Sequence, residues 1–95
     1  MVHYVLLKFK ENTLTEDVFN TIAAQYEELE KRMDGLTNPQ IYRNIVTRDS
    51  NMDLMITVEL AGREDLSVYL ESETHQTLAE RLGDILEMRV SFDHN

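Results

Sequence analysis

Two kinds of apolar spacing alternate along the chain, one with the two-residue period of strands and one with the longer period of helices. The strand-like segments cover residues 2–9, 41–47, 52–60 and 86–92. The helix-like segments cover residues 15–33 and 63–83, and the second of these has a break near Ser72. The resulting order, β-α-β-β-α-β, predicts a ferredoxin-like α+β fold with an antiparallel four-stranded sheet.

Both helical segments carry recognisable end signals. Thr15 is placed to cap the first helix, and Gly35 suits the left-handed position that closes a helix. Ser72 is placed to cap the second half of the broken helix, with His75 on its apolar face. The inward stripe of the first helix is formed by residues spaced three and four apart, namely Val18, Ile22, Tyr26, Leu29 and Met33.

The predicted sheet is apolar on both faces. Right-handed crossovers place both helices on one face, so the other face, which carries Tyr4, Leu6 and Met55, has no cover within the chain. A soluble monomer rarely exposes a continuous apolar surface of this size. We therefore expect a homodimer in which two sheets pack face to face.

Composition limits the range of functions. The 95 residues form one domain, 1–95, without cysteine, and the net charge of −9 disfavours binding to nucleic acid or to an anionic membrane. The mixed apolar and basic run at the start is too short and too polar for a signal peptide or a membrane span. A cytoplasmic location is expected. Acidic side chains in the first helix lack histidine partners, so no metal and no cofactor are expected, although a metal at a dimer interface is left open.

Several short motifs occur in the order found in one family. His3 lies in an opening strand that reads HYVLLKF, Gly35 follows the first helix, Tyr69 precedes His75 by six residues, and the chain closes on Phe92 and Asp93. In this respect the sequence resembles the stress-responsive A/B barrel proteins, which are dimeric α+β barrels. Where that family usually has a His-Pro pair at the helix break, this chain has Ser-Glu.

The resemblance implies roles for individual residues. In plant polyketide cyclases of this family, residues at the positions of Tyr69 and His75 serve an aldol-type ring closure. An aspartate at the position of Asp93 orients the histidine, and a histidine at the position of His3 lines the pocket. His75 would then be a general base near a helix N-terminus, and Tyr69 would donate to a developing oxyanion.

A structural interpretation of each residue stays open beside the functional one. In the structural interpretation His75 is a half-buried histidine that bridges two elements, and Tyr69 is an aromatic residue of the core. His3 is then an ordinary strand residue. Tyr26 belongs either to the core or to the ligand contacts. The expected pocket lies between helices and sheet. Its mainly apolar lining comprises Val5, Leu7, Ile22, Leu54 and Leu78, and its polar groups come from His3, Tyr69, His75 and Asp93.

The last strand presents a conflict between pattern and resemblance. Its apolar residues share one face, and these are Leu86, Met88, Val90 and Phe92. Pattern alone would turn that face toward the helices, whereas the resemblance needs Asp93 to reach His75. Successive side chains of a strand point to opposite faces, so the apolar residues and Asp93 cannot both face the helices. We expect Arg89, Ser91 and Asp93 to face the helices and the apolar residues to face a partner subunit.

Three functions are compatible with these observations. The first is a small-molecule-binding dimeric barrel that acts as a cofactor-independent cyclase or lyase on a small carbonyl compound. The second is a non-catalytic dimer that binds a ligand or has a protective role under stress. The third is a cofactor-free monooxygenase of the related barrel type. The sequence names neither the ligand nor its pathway, and it leaves open whether the protein is an enzyme.

Overall fold

The computed structural model describes residues 1–95 as three helices on one face of a four-stranded sheet. The elements are β1 (Val2–Phe9), α1 (Glu16–Arg32), β2 (Leu36–Arg43), β3 (Leu54–Leu60), α2 (Glu64–Glu71), α3 (Glu73–Gly83) and β4 (Leu86–His94). The strand order is β2-β3-β1-β4, and every neighbouring pair is antiparallel. The predicted ferredoxin-like α+β fold is confirmed.

The core lies between the sheet and the helices. β1 contributes its odd-numbered residues, His3, Val5, Leu7 and Phe9, all of which are buried. β3 contributes Leu54, Ile56, Val58 and Leu60, and α1 contributes Ile22, Tyr26 and Leu29, followed by Met33 at its C-cap. The predicted faces of β1, β3 and α1 are therefore confirmed. None of the helices combines the length and apolar character that a membrane span requires.

Side-chain caps set the starts of α1 and α3. The Thr15 hydroxyl accepts from the Val18 N–H at 3.2 Å, and the Ser72 hydroxyl accepts from the His75 N–H at 3.1 Å. Each bond satisfies one of the unpaired donors of a first helical turn. Ser72 also ends α2, since its own N–H donates to the Tyr69 carbonyl. The break predicted at Ser72 is thus a junction between two helices that fixes the backbone at His75.

β2 differs most from the sequence prediction. It was expected over residues 41–47 but spans Leu36–Arg43, and the β2–β3 connection is longer than the predicted turn at 48–51. The strand includes Pro39, a left-handed Asn38 with φ of 51°, and a register shift between Thr37 and Gln40. A proline and a bulge are tolerated because β2 is an edge strand. The β-branched Ile45, which suggested a later strand, is 96% exposed in the connection.

β4 turns its polar face toward the helices. In its antiparallel pairing with β1, Asp93 lies opposite His3, Ser91 opposite Val5, and Arg89 opposite Leu7. Directly opposed residues point to the same side of a sheet, and the β1 residues named here are in the core. The expected orientation of Arg89, Ser91 and Asp93 is therefore confirmed.

The opposite sheet face has no cover within the chain. Phe92 is 63% exposed and packs edge-on against Tyr4, with ring centroids 6.4 Å apart. Other large apolar residues on this face, Tyr42, Met88 and Val90, are also exposed. The outer face of the isolated chain therefore exposes several large apolar side chains.

Gly35 is required for a reason other than the predicted one. No glycine of the chain has a positive φ, so Gly35 does not close α1 in the left-handed conformation. Instead, a Cβ atom at Gly35 would lie 2.3 Å from Oδ1 of Asp65. The Asp65 carboxylate is itself held by the Gly62 N–H at 2.9 Å, which anchors the start of α2. Gly35 therefore makes room for a side chain that positions the helix pair.

Gly35→Ala should destabilise the fold by about 1–2 kcal/mol, because the new methyl group displaces the Asp65 carboxylate from the Gly62 N–H. Gly83→Ala is the matched control, since a Cβ at the end of α3 meets no atom within 4 Å. That change should be neutral or stabilising by about 0.5 kcal/mol. Urea unfolding compares the two variants, and equal stabilities would contradict the steric account.

Candidate functional site

The main candidate site is a cavity of about 360 Å³ between β1, β4 and the α2–α3 pair. Its wall comprises His3, Val5, Leu66, Leu70, His75, Arg89, Val90, Ser91 and Asp93. A smaller apolar cavity of about 30 Å³ adjoins it and shares three of these residues, Val5, His75 and Arg89. The larger volume is within the range of small-ligand pockets. His75 and Arg89 therefore stand where the two cavities meet.

The Leu70 carbonyl fixes the tautomer of His75. Nδ1 of His75 lies 3.2 Å from the Leu70 carbonyl oxygen, which can only accept a hydrogen bond. In the neutral ring Nδ1 therefore carries the proton, and Nε2 carries the free lone pair. Since Ser72 holds the His75 backbone from the preceding turn, both the position and the ring orientation of this histidine are set by residues 70–72.

Burial keeps His75 neutral. The pKa of His75 is lowered from its ordinary value of 6.5, chiefly by burial and further by the charges of Arg89 and His3, whereas the bond to Leu70 opposes the shift. The ring is accordingly uncharged at neutral pH, with the proton on Nδ1 and with Nε2 available to accept a second one. This state is the one that a general base requires.

Asp93 pairs with His3 and not with His75. Its Oδ1 lies 2.5 Å from Nδ1 of the buried His3. The two side chains meet because the residues are directly opposed across β1 and β4. Cross-strand neighbours have Cβ atoms about 5 Å apart, which leaves a carboxylate and an imidazole in contact. The expected Asp93–His75 pair is therefore wrong, and the group that orients His75 is the Leu70 carbonyl.

Tyr69 is in the core and not on the cavity wall. The residue is fully buried, and its hydroxyl lies 2.6 Å from the hydroxyl of Tyr26. Burial raises the pKa of both tyrosines, so both stay protonated. The Tyr69 ring packs edge-on against two histidines, with centroid distances of 4.6 Å to His75 and 5.4 Å to His3. Tyr69 thus separates the two histidines while its hydroxyl points to α1.

The remaining predicted site residues divide into three groups. His3, Val5, His75 and Asp93 line the larger cavity, as expected. The smaller cavity is lined by Leu7, Tyr26 and Leu78. Ile22 and Leu54 are fully buried members of the hydrophobic core and line neither cavity.

Five wall residues were not predicted from the sequence as site residues, namely Leu66, Leu70, Arg89, Val90 and Ser91. Arg89 and Ser91 could have been found from the period of β4, since they share a face with Asp93. Leu66 and Leu70 carried only the signal of a short amphipathic helix. Nowhere in the fold do three or more carboxylate or imidazole side chains gather closely enough to hold a metal ion.

Tyr26→Phe and Tyr69→Phe should each cost about 1–3 kcal/mol, because either change leaves one buried hydroxyl without its partner. The double variant should cost less than the sum, since it leaves no unpaired hydroxyl. Urea unfolding of the four proteins measures this coupling. Additive costs, or a neutral Tyr69→Phe, would contradict the pairing and return the Tyr69 hydroxyl to the cavity.

Comparison with known structures places this fold among proteins of diverse description. A dimeric protein of unknown function with a ferredoxin-like fold from Bacteroides fragilis aligns with a TM-score of 0.82 and 18% identity, covering 99% of this chain and 93% of its own. A hydroxynitrile lyase from Passiflora edulis aligns with a TM-score of 0.78 and 15% identity, covering 99% and 92%. A protein from Nitrosomonas europaea, proposed to be an antibiotic biosynthesis monooxygenase, aligns with a TM-score of 0.82 and 18% identity. The alignment covers 99% of this chain and 86% of the other.

These identities show a shared fold and no more. Among proteins with curated descriptions, none matches the sequence significantly. The family model of the stress responsive A/B barrel domain, by contrast, matches residues 1–95, which is the whole chain. The chain belongs to the stress-responsive A/B barrel family.

Proposed function

We propose that this protein is a homodimeric, small-molecule-binding barrel that catalyses a cofactor-independent lyase or cyclase reaction on a small carbonyl compound. The observation that carries the proposal is His75, a neutral imidazole of fixed tautomer whose Nε2 is left free at a cavity of ligand size. The description of one structural relative as a hydroxynitrile lyase is in keeping with this class of reaction.

The chemistry begins with proton abstraction. Nε2 of His75 takes a proton from the carbon next to the substrate carbonyl. The electron pair of that C–H bond forms a carbon–carbon double bond, and the π electrons of the carbonyl move to its oxygen to give an enolate. In a cyclase the enolate attacks a second carbonyl carbon, and His75 returns the proton to the new alkoxide. The Ser91 hydroxyl, on the same wall, supplies a donor for the developing oxyanion.

Three further residues position the base in this proposal. Tyr69 fills the space beside the imidazole and holds His3 away from it. The His3–Asp93 pair forms part of the cavity wall and holds the Asp93 carboxylate at His3. The expected role of Tyr69 as an oxyanion donor is replaced in this proposal by a packing role, because its hydroxyl is hydrogen-bonded to that of Tyr26.

Deuterium exchange tests the proton transfer without knowledge of the natural substrate. The protein is incubated in D₂O with a panel of small ketones and aldehydes, and loss of the α-proton signal is followed by NMR. His75→Gln should slow exchange by about 10²- to 10⁴-fold, the usual contribution of a general base, with little change in thermal stability. His94→Gln, which alters an exposed histidine on the other side of the sheet, should leave the rate unchanged.

The pH profile gives a second readout of the same step. Because the pKa of His75 is lowered, the base stays deprotonated below pH 6.5, and the rate should fall only at more acidic pH. Absence of exchange with every carbonyl compound, or an active His75→Gln variant, would overturn the catalytic proposal. The non-catalytic ligand-binding dimer would then account for the cavity.

The uncovered sheet face supports the homodimer. It exposes Phe92, Met88 and Tyr42, and a second copy of the chain would bury them by packing sheet against sheet. One structural relative with this fold is described as dimeric. In each subunit the cavity lies on the helix side of the sheet, and Val90 is the one wall residue that also lies on the outer face.

Light scattering after gel filtration should give twice the chain mass of 11.1 kDa. Leu6→Glu should yield a monomer of reduced stability, because it places an unpaired carboxylate in the interface. Val68→Glu is the matched control on the outer side of α2, where the side chain is 54% exposed, and it should stay dimeric. A monomeric wild-type protein would refute the dimer without affecting the cavity.

A further inference from the structure

Arg89 is a cation without a counter-ion in the cavity wall. It extends from the helix-facing side of β4, opposite the buried Leu7, and it lines both cavities. A polar residue on this side of a sheet is stable only where water or a ligand can reach it, and Arg89 is exposed to solvent. The guanidinium is therefore placed to meet whatever occupies the cavity.

Arg89 has no acidic partner within the chain, and it differs from the other unpaired basic residues in its place on the wall of the candidate site. The three ion pairs of the protein join Asp93 to His3, Glu28 to Arg32, and Glu16 to Arg43. Asp93 shares the strand face of Arg89 but is committed to His3. Arg89 also makes no side-chain hydrogen bond within the chain.

We infer that the cavity binds a small ligand bearing a carboxylate, which Arg89 holds as its counter-ion beside Nε2 of His75. A guanidinium presents two parallel N–H groups that match the two oxygens of a carboxylate. This inference rests on the cavity of the proposed function and names its substrate class, a small carboxylic acid that also carries a carbonyl group. It does not depend on proton transfer by His75.

The surroundings favour a carboxylate over a phosphate. Arg89 is the only basic side chain besides the histidines on the wall, and Asp93 lies on the same strand face. One guanidinium balances one negative charge, whereas a phosphate carries nearly two. The apolar part of the ligand would contact Val5, Leu66 and Leu70, and its length is limited by a volume of about 360 Å³.

The net charge of −9 does not prevent such binding. At physiological ionic strength exposed charges more than about 8 Å away are largely screened. The attraction of a bound carboxylate is therefore decided by the residues of the cavity, where Arg89 is unpaired and Asp93 is paired. The negative charges on the protein surface slow the approach of an anion more than they weaken its binding in the cavity.

Protein-detected NMR titration with benzoate and its neutral isostere benzamide tests the inference. Benzoate should shift the amide signals of residues in β4, α2 and α3 that line the cavity, and benzamide should bind at least about tenfold more weakly. Arg89→Gln should weaken benzoate binding by at least about tenfold and make the two probes equal, whereas Arg89→Lys should retain part of the preference.

Arg48→Gln is the control, because it removes the same charge from the exposed β2–β3 connection and should bind benzoate as the wild type does. The amide spectrum of each variant reports whether the fold is intact. The inference would be overturned if the wild type bound the two probes equally, or if it bound no benzoate at millimolar concentration. It would also be overturned if Arg89→Gln bound benzoate undiminished, or if the signal shifts lay outside the cavity. Benzoate binding without any deuterium exchange would refute only the catalytic proposal.

Discussion

Successive side chains of a strand point to opposite faces, so β4 cannot place both its apolar and its polar residues against the helices. The strand resolves this by pairing with β1 such that Asp93 lies opposite His3 and Ser91 opposite Val5. One consequence is an apolar outer face that includes Phe92. The other is a set of polar side chains under the helices, where a packed core would exclude them. The cavity and the uncovered face are thus two results of one register.

The chemistry of the cavity depends on which partners that register creates. Asp93 and His3 form a cross-strand pair, so the carboxylate is not available to His75. His75 is held instead by the Ser72 cap and the Leu70 carbonyl, both at the junction of α2 and α3. A carbonyl oxygen orients an imidazole without adding a negative charge, so it fixes the tautomer while burial keeps the ring neutral. The helix break is therefore the feature that places a base at the cavity.

The sequence predicted those parts of the fold that local physics decides. The alternation in β1, the stripe of α1 and the Ser72 cap each depend on neighbouring residues alone, and all three are confirmed. β2 was misplaced because an edge strand tolerates Pro39 and a bulge, whereas the exposed Ile45 imitates a strand residue. Gly35 was assigned to a helix cap because its contact with Asp65, thirty positions later, leaves no local signal.

Much of the candidate site required the tertiary structure. Resemblance brought together His3, His75 and Asp93 but not their correct pairing, which follows from the register of β1 and β4. The hydroxyl of Tyr69 was expected in the cavity, but its bond to Tyr26 joins residues 43 positions apart. Arg89 was expected to face the helices with Asp93 but was not assigned to the site, because the sequence does not show which side chains line the cavity. Its position opposite Leu7 is evident only once the strands are paired.

The central claim is that His75 is a neutral base whose Nδ1 is protonated and whose Nε2 is free. Side-chain ¹⁵N and ¹³C NMR of the imidazole measures this directly across a pH titration. The account predicts the Nδ1–H tautomer at neutral pH and a pKa below the ordinary 6.5. An Nε2–H tautomer, or a pKa at or above 6.5, would contradict it.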